Sequence, residues 1–286
     1  MSFWGWRWGW RWRGVLVGLS AGAIVFPSGA LEAQLRADSV RQDLRRLVGD
    51  AWSVWTSPVH AKADDLQGLA AAMAVAGFAA RVDLPLQHWM KDHPDAWPLR
   101  TLKHFLSEEA KIPAYEFGSG QYILPLSAIL YIAGSAGRSR DLRDAGLGCA
   151  TAHLTSAGAR EIVYLLIARD RPRLSPEDPF QFQFPGSRDW NAHSFFSGHI
   201  ANSMGCASFL AHRFEFHAGT PILYGFTMAI GASRIYDGRH WLSDTVVGGL
   251  FGYATGRAVA ARMLTRERGA PAPPGMPLTV SISVPF

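Results

Sequence analysis

Cysteine is nearly absent from this chain: two residues, Cys149 and Cys206, among 286. Neither has the spacing of a zinc site. Two readings stay open for them, a single disulfide in an exported protein or two small buried residues on helices. Excess charge is also scarce. Of the formal net charge of +5, Arg7, Arg11 and Arg13 stand before the first acid, Glu32, and removing those three from +5 leaves +2. So weak a balance, with no basic stripe beyond the N-terminus, excludes a nucleic-acid partner. Sustained period-two alternation is missing except at the very end, and no internal repeat is found, which excludes sheet sandwiches and solenoids. Long unbroken apolar runs are missing as well. Residues 122–133 are too short to span a bilayer, and Asp244, Arg257 and Arg262 interrupt residues 242–264. With a mean hydropathy of +0.03, a protein threaded many times through a membrane is not expected. A face resting on a membrane is still compatible with this pattern.

What is present begins with a three-part N-terminus. A cationic, tryptophan-rich stretch over residues 4–13 precedes an apolar run over 14–26. Small residues follow at Ser28, Gly29, Ala30 and Ala33. This is the layout of a secretory signal cleaved after Ala30 or Ala33, and the alternative is an uncleaved anchor of the same polarity. Either exports the rest of the chain, to the periplasm or the outer face of an inner membrane.

From Asp38 onward the pattern is helical. Helices are expected over residues 66–80, 98–110, 122–133, 141–168, 197–213, 221–233 and 242–264. The stretch 172–193, with Pro172, Pro176, Pro179, Pro185 and Gly186, is expected to be an irregular loop. The fold class is therefore all-α, a helical bundle. Three segments are expected: residues 1–33 as signal or anchor, 34–265 as the helical domain, and 266–286 as a Pro/Gly-rich tail. Leu278, Val280, Ile282, Val284 and Phe286 alternate in that tail as a short strand would, and one strand cannot build a barrel.

Three clusters carry chemistry. The first is Arg169-Asp170-Arg171-Pro172 at the end of a helix. The second is Ser197-Gly198-His199. The third is Ser233-Arg234, five residues, His240, three residues, then Asp244. In the third, a helix break near Asp237-Gly238 leaves His240 at a helix start. An aspartate one turn on then holds one imidazole nitrogen and leaves the other free to attack. Arg234 offers a planar fork for phosphate oxygens. In the second, Ser197 is a suitable N-cap, and Gly198 lets a ligand approach helix amides that favour an anion. His199 there can donate a proton to a leaving oxygen. Two arginines and backbone amides answer the charge of a phosphoryl transition state without a metal. Each cluster alone is a weak signal; their order and their placement between helices make the case.

Together the clusters resemble the three-part signature of the type 2 phosphatidic acid phosphatase (PAP2) superfamily, which also holds class A acid phosphatases and vanadium haloperoxidases. That signature reads Lys-x6-Arg-Pro, Pro-Ser-Gly-His and Ser-Arg-x5-His-x3-Asp. The resemblance implies a helical bundle and a metal-independent phosphatase that works through a phosphohistidine and needs no cofactor. His240 would be the nucleophile, Asp244 its orienting group, and His199 the general acid and then base. Arg171, Arg234, Ser197 and Gly198 would bind phosphate. The substrate would be a lipid phosphate, a polyprenyl pyrophosphate or a soluble phosphomonoester. Two positions depart from the pattern. Phe196 replaces a proline, and Tyr164 replaces the lysine seven residues before Arg171. Loss of a charged donor costs on the order of 2–4 kcal/mol of transition-state stabilisation. Tyr164 keeps one hydrogen bond to offer, and Arg169 is a substitute cation. Two other readings compete: a vanadate-dependent haloperoxidase, and a phosphate-binding protein without catalysis. Around the clusters, Glu161 is expected to pair with Arg160 or Arg169. His193, Trp190, Phe195 and Phe196 are expected to pack in or line the loop.

Overall fold

The computed structural model describes residues 37–269 apart from 61, 98, 101–104, 106 and 108–113. The expected signal segment 1–33, most of the expected helix 98–110 and the tail from 270 onward lie outside the described residues. Within them the chain forms seven α-helices and one small sheet. The helices are α1 (Ala37–Trp55), α2 (Ala63–Asp92), α3 (Gly120–Ala136), α4 (Arg140–Leu166), α5 (Gly198–Phe214), α6 (Thr220–Tyr236) and α7 (Leu242–Glu267). The all-α reading holds.

α5 and α7 form the centre, and small residues bring them together. Gly248, Gly252 and Gly256 lie one turn apart on α7. A Cβ on any of them would run into the backbone oxygen of Ser197, Ala201 or Gly205 on α5. Only hydrogen at these positions permits such an approach, so the stripe sets the spacing of the two helices that carry the second and third clusters. α4 flanks this pair and α3 packs on α4. α1 lies across α4, α2 along α7, and α6 on α5. The apolar core joins Leu147 and Cys149 of α4 to Phe209 of α5 and to Val259, Ala260 and Met263 of α7. Of the two cysteine readings, the disulfide is the one found: Cys149 and Cys206 are bonded and tie α4 to α5.

Buried ion pairs fasten the outer helices. Asp50 of α1 accepts from Arg262 and Arg266 of α7, each at 2.7 Å. α7 is continuous, as expected, and runs on past residue 265 to Glu267. α2 also outruns expectation, continuing beyond residue 80 to Asp92 with Pro85 inside it. By length and composition its Asp65–Asp92 segment could cross a membrane, and 11% of that apolar window is buried. Leu66, Leu69, Met73, Val75 and Phe78 remain exposed there.

The 172–193 stretch is more ordered than its prolines suggest. Ala168–Arg169 (β1) pairs antiparallel with Phe182–Gln183 (β2), so the expected fourth helix ends at Leu166 and its last expected residue, Ala168, is strand instead. A 3-10 turn follows at Trp190–Ala192. Backbone bonds from Arg171 N to Asn191 O (3.1 Å) and from Ser194 N to Arg169 O (3.0 Å) clamp the loop on the first cluster. Proline removes donors, but it leaves these neighbouring amides free to bond.

Candidate active site

The turn between α6 and α7 places the nucleophile candidate. Gly238 sits at φ +61°, a conformation glycine adopts without strain. The turn closes with Arg239 N and His240 N both donating to Arg234 O, at 2.9 and 3.2 Å. Arg234 and His240 are thereby held together although six positions apart. At the start of α5, Ser197 N donates to Asp244 O at 3.0 Å and joins the second cluster to the third.

Tyr164, Arg171, Gly198, His199, Arg234 and His240 converge on one cavity of about 450 Å³. Arg160, Arg239, Tyr115, Trp190 and Asn202 complete much of its wall, and Glu116 is its one carboxylate among the described residues. Arg171 and Arg234 are 5% and 4% exposed. The Arg171 guanidinium lies 4.7 Å from the Trp190 ring, and that of Arg234 lies 4.4 Å from the Tyr115 ring. Burial, opposed by Tyr164 and reinforced by Arg239 and Arg234, lowers Arg171 to about 10, so it stays charged at neutral pH. Among the described residues its Nε has no protein partner, and neither does the fully buried Ser197 Oγ. Ser197 occupies the N-cap position of α5, yet its side chain makes no capping bond.

His240 is 3% exposed. Its Nδ1 is 2.7 Å from the carbonyl oxygen of Ser194. A carbonyl only accepts, so Nδ1 carries the proton and Nε2 keeps its lone pair. Burial first, then the charges of Arg171 and Arg234, hold the imidazole well below the usual histidine range, hence neutral. Asp244 was expected to hold this ring directly. Its Oδ2 is instead 4.0 Å from Nδ1. It accepts from Ser194 Oγ at 2.5 Å and from Trp241 N at 2.9 Å. An aspartate in the first turn of α7 is drawn to the free amide of Trp241, so Asp244 positions His240 through the Ser194 segment.

Arg169 requires a correction. It was expected as a substitute phosphate ligand, but it lies behind the cavity with all three nitrogens engaged. Nη1 donates to Asp244 Oδ1 (2.5 Å) and Ser243 Oγ (2.8 Å), Nη2 to Asp83 Oδ2 (2.8 Å), and Nε to Pro179 O (2.8 Å). Two buried carboxylates attract a buried guanidinium more strongly than a solvated anion does. Asp83 of α2 also accepts from Ser243 N and Oγ, at 2.8 and 2.6 Å. The expected Glu161 pairing is with Arg160, at 2.5 Å. His193 packs, stacking on Tyr164 at 4.4 Å. Trp190 lines the cavity, and Phe196 packs against Phe251 at 5.2 Å.

Sequence reasoning missed Asp83, Ser194, Asn202 and Arg160 in this neighbourhood. Asp83 had a readable signal, an acid inside an otherwise apolar helix. Arg160 had one too, standing one helical turn from Tyr164. Ser194 and Asn202 had none. Among the described residues, no group of three or more His, Cys, Asp or Glu side chains gathers as metal ligands would.

A helical bundle that lines one cavity with two histidines, four arginines and the start of a long helix is built to hold an anion beside groups that move protons. Residues 145–268 match the family model of the PAP2 superfamily, which supports membership of that superfamily. Its members are generally phosphatases, which suggests phosphatase-type hydrolysis of phosphate esters here. No curated protein and no solved structure matches the chain.

Proposed function

We propose that the protein is a metal-independent phosphatase that transfers the phosphoryl group of an ester to His240 and then to water. The observation that carries this reading is the fixed tautomer of His240, with Nδ1 held by Ser194 O and the ring lining a cavity rich in arginine. In the first step Nε2 attacks phosphorus, the P–N bond forms and the ester P–O bond breaks. His199 protonates the departing oxygen. In the second step His199 takes a proton from water, whose oxygen attacks phosphorus, and the P–N bond breaks to release orthophosphate. Arg171, Arg234 and the first amides of α5 balance the charge on the equatorial oxygens.

Glu116, Ser119, Gln121 and Asn202 add a polar stretch to the cavity lining. This polar wall favours an ester whose first atoms beyond the phosphate are polar, as in a soluble phosphomonoester, a pyrophosphate or a lipid phosphate headgroup. The signal-like N-terminus and the Cys149–Cys206 disulfide support export to the periplasm or to the outer face of the inner membrane, where disulfides persist.

The test is phosphate release from a panel of soluble and lipid phosphates in EDTA, by the protein and by His240→Ala. Release that survives EDTA and disappears in the variant is expected. Release that persists in His240→Ala, or that EDTA abolishes, overturns the mechanism. Halide oxidation on addition of vanadate, without ester hydrolysis, would replace it with the haloperoxidase reading.

A further inference from the structure

Arg160 presents an electrostatic problem in the structure. Its guanidinium lies over the first residue of α5. A Cβ on Gly198 would collide with Nη1 of Arg160 and come 2.7 Å from its Cδ. The N-terminus of a helix carries partial positive charge and unsatisfied amides, so a cation there is repelled. The counterion in place is Glu161, which donates nothing and accepts from Arg160 Nε and Nη2 at 3.2 and 2.5 Å. Glu161 is 60% exposed, whereas the arginine is 21% exposed. A pair so open to solvent compensates little. Among the described residues the same cavity already holds Arg171, Arg234 and Arg239 against one carboxylate, Glu116. So many guanidinium groups beside the amides that open α5 favour an anion at that point. A further observation points to the same place. Arg171, 5% exposed on the cavity wall, keeps its buried Nε without a protein partner among the described residues.

Tyr164 accounts for why the cation comes from position 160. The tyrosine is 4% exposed, and burial raises it to about 12, so it is neutral. Its hydroxyl donates to Phe196 O at 3.4 Å. Its ring has His193 stacked at 4.4 Å and the Arg160 guanidinium 5.7 Å from the centroid. It contributes an aromatic surface for a guanidinium and no charge.

We propose that Arg160 is a phosphate-binding residue of this site, steered across Tyr164 to the N-terminus of α5 to supply the cation that a lysine at position 164 would otherwise bring. The proposal rests on the phosphate-binding part of the function above and not on turnover. The source of the cation thus lies one helical turn earlier, at 160 instead of 164, while the charge stays in the cavity. The planar fork can bond two phosphate oxygens where a lysine offers a point charge.

The test is equilibrium binding of orthophosphate to the full chain, by calorimetry, for the parent, Arg160→Ala, Arg160→Gln and the double variant Arg160→Ala/Tyr164→Lys. Phosphate release is measured in parallel, and a thermal melt checks folding. Both single variants are expected to bind orthophosphate about 10- to 100-fold more weakly, the range for losing a charged hydrogen-bonding group. The double variant is expected to regain most of that loss. Binding within twofold of the parent in Arg160→Ala or Arg160→Gln overturns the proposal. So does a folded double variant that regains nothing, and so does a parent chain that binds no orthophosphate. A parent that binds orthophosphate tightly but cleaves no ester overturns the phosphatase reading alone and leaves the Arg160 comparison decisive.

Discussion

Replacing Arg169 by alanine separates a structural role from a ligand role. The side chain donates four hydrogen bonds, two of them to carboxylates, with Asp83 and Asp244 each 0% exposed at the side chain. Its removal leaves two buried carboxylates without their cation. Breaking a buried pair by deleting one partner costs about 3–5 kcal/mol. A domain of this kind has about 5–15 kcal/mol in total. Arg169→Ala is therefore expected to lose roughly a fifth or more of the folding stability, with the urea midpoint falling and the slope unchanged. Tryptophan fluorescence reports the change directly. Trp241 is fully buried, its ring lies 5.6 Å from the Arg169 guanidinium, and its Nε1 donates to Asp170 O at 2.9 Å. Arg169→Lys retains one charge but cannot bridge both carboxylates, and should fall between the parent and the alanine variant. A stability loss below about 1 kcal/mol in Arg169→Ala, joined to weaker phosphate binding, would refute the reasoning and return Arg169 to the cavity.

Other consequences are open to measurement. The disulfide closes a loop between residues 57 apart; chain entropy for such a loop gives about 4 kcal/mol, so Cys149→Ser/Cys206→Ser should lose up to that amount in chemical denaturation, and no loss would show that the link constrains nothing. Acid should destabilise the fold through two buried histidines. Burial, then the charge of Arg160, lowers His153 to about 4, and His240 lies well below the usual range. Both are neutral when folded, so the unfolded chain binds their protons first. Their contribution is complete above about pH 6.5 and is lost as pH falls toward 4, with a slope approaching about 3 kcal/mol per pH unit. Asp244 works the other way, since burial, against the pull of Arg169, raises its carboxyl above the ordinary value and favours the folded state on protonation. A urea titration across pH 4–7 measures the sum, and stability that is flat or rises toward acid would contradict the assignment of neutral buried imidazoles.

Much was legible in the sequence because it depends on local chemistry. Gly238 marks the stop just after α6, and the three polar clusters could be read off the chain in order. Helices were readable from apolar periodicity, although α2 was read too short because its apolar residues surround the helix instead of forming one stripe. The glycines at 248, 252 and 256 were visible at four-residue spacing, but their meaning required knowing which backbone lies opposite.

Tertiary structure decided what each charged side chain does. Arg169 and Arg171 are two residues apart and equally cationic, yet β1 sends one to Asp83 and Asp244 and the other to the cavity. Asp244 was placed by sequence next to His240 and acts instead through Ser194, because the amide of Trp241 and the hydroxyl of Ser194 reach it first. The sequence by itself determined the helical class, the motif order and the chemical types available. Partner choice among buried charges was left to the fold, because it depends on which atoms share a dry space, and residues as far apart as Asp83 and Asp244 meet only when α2 packs on α7.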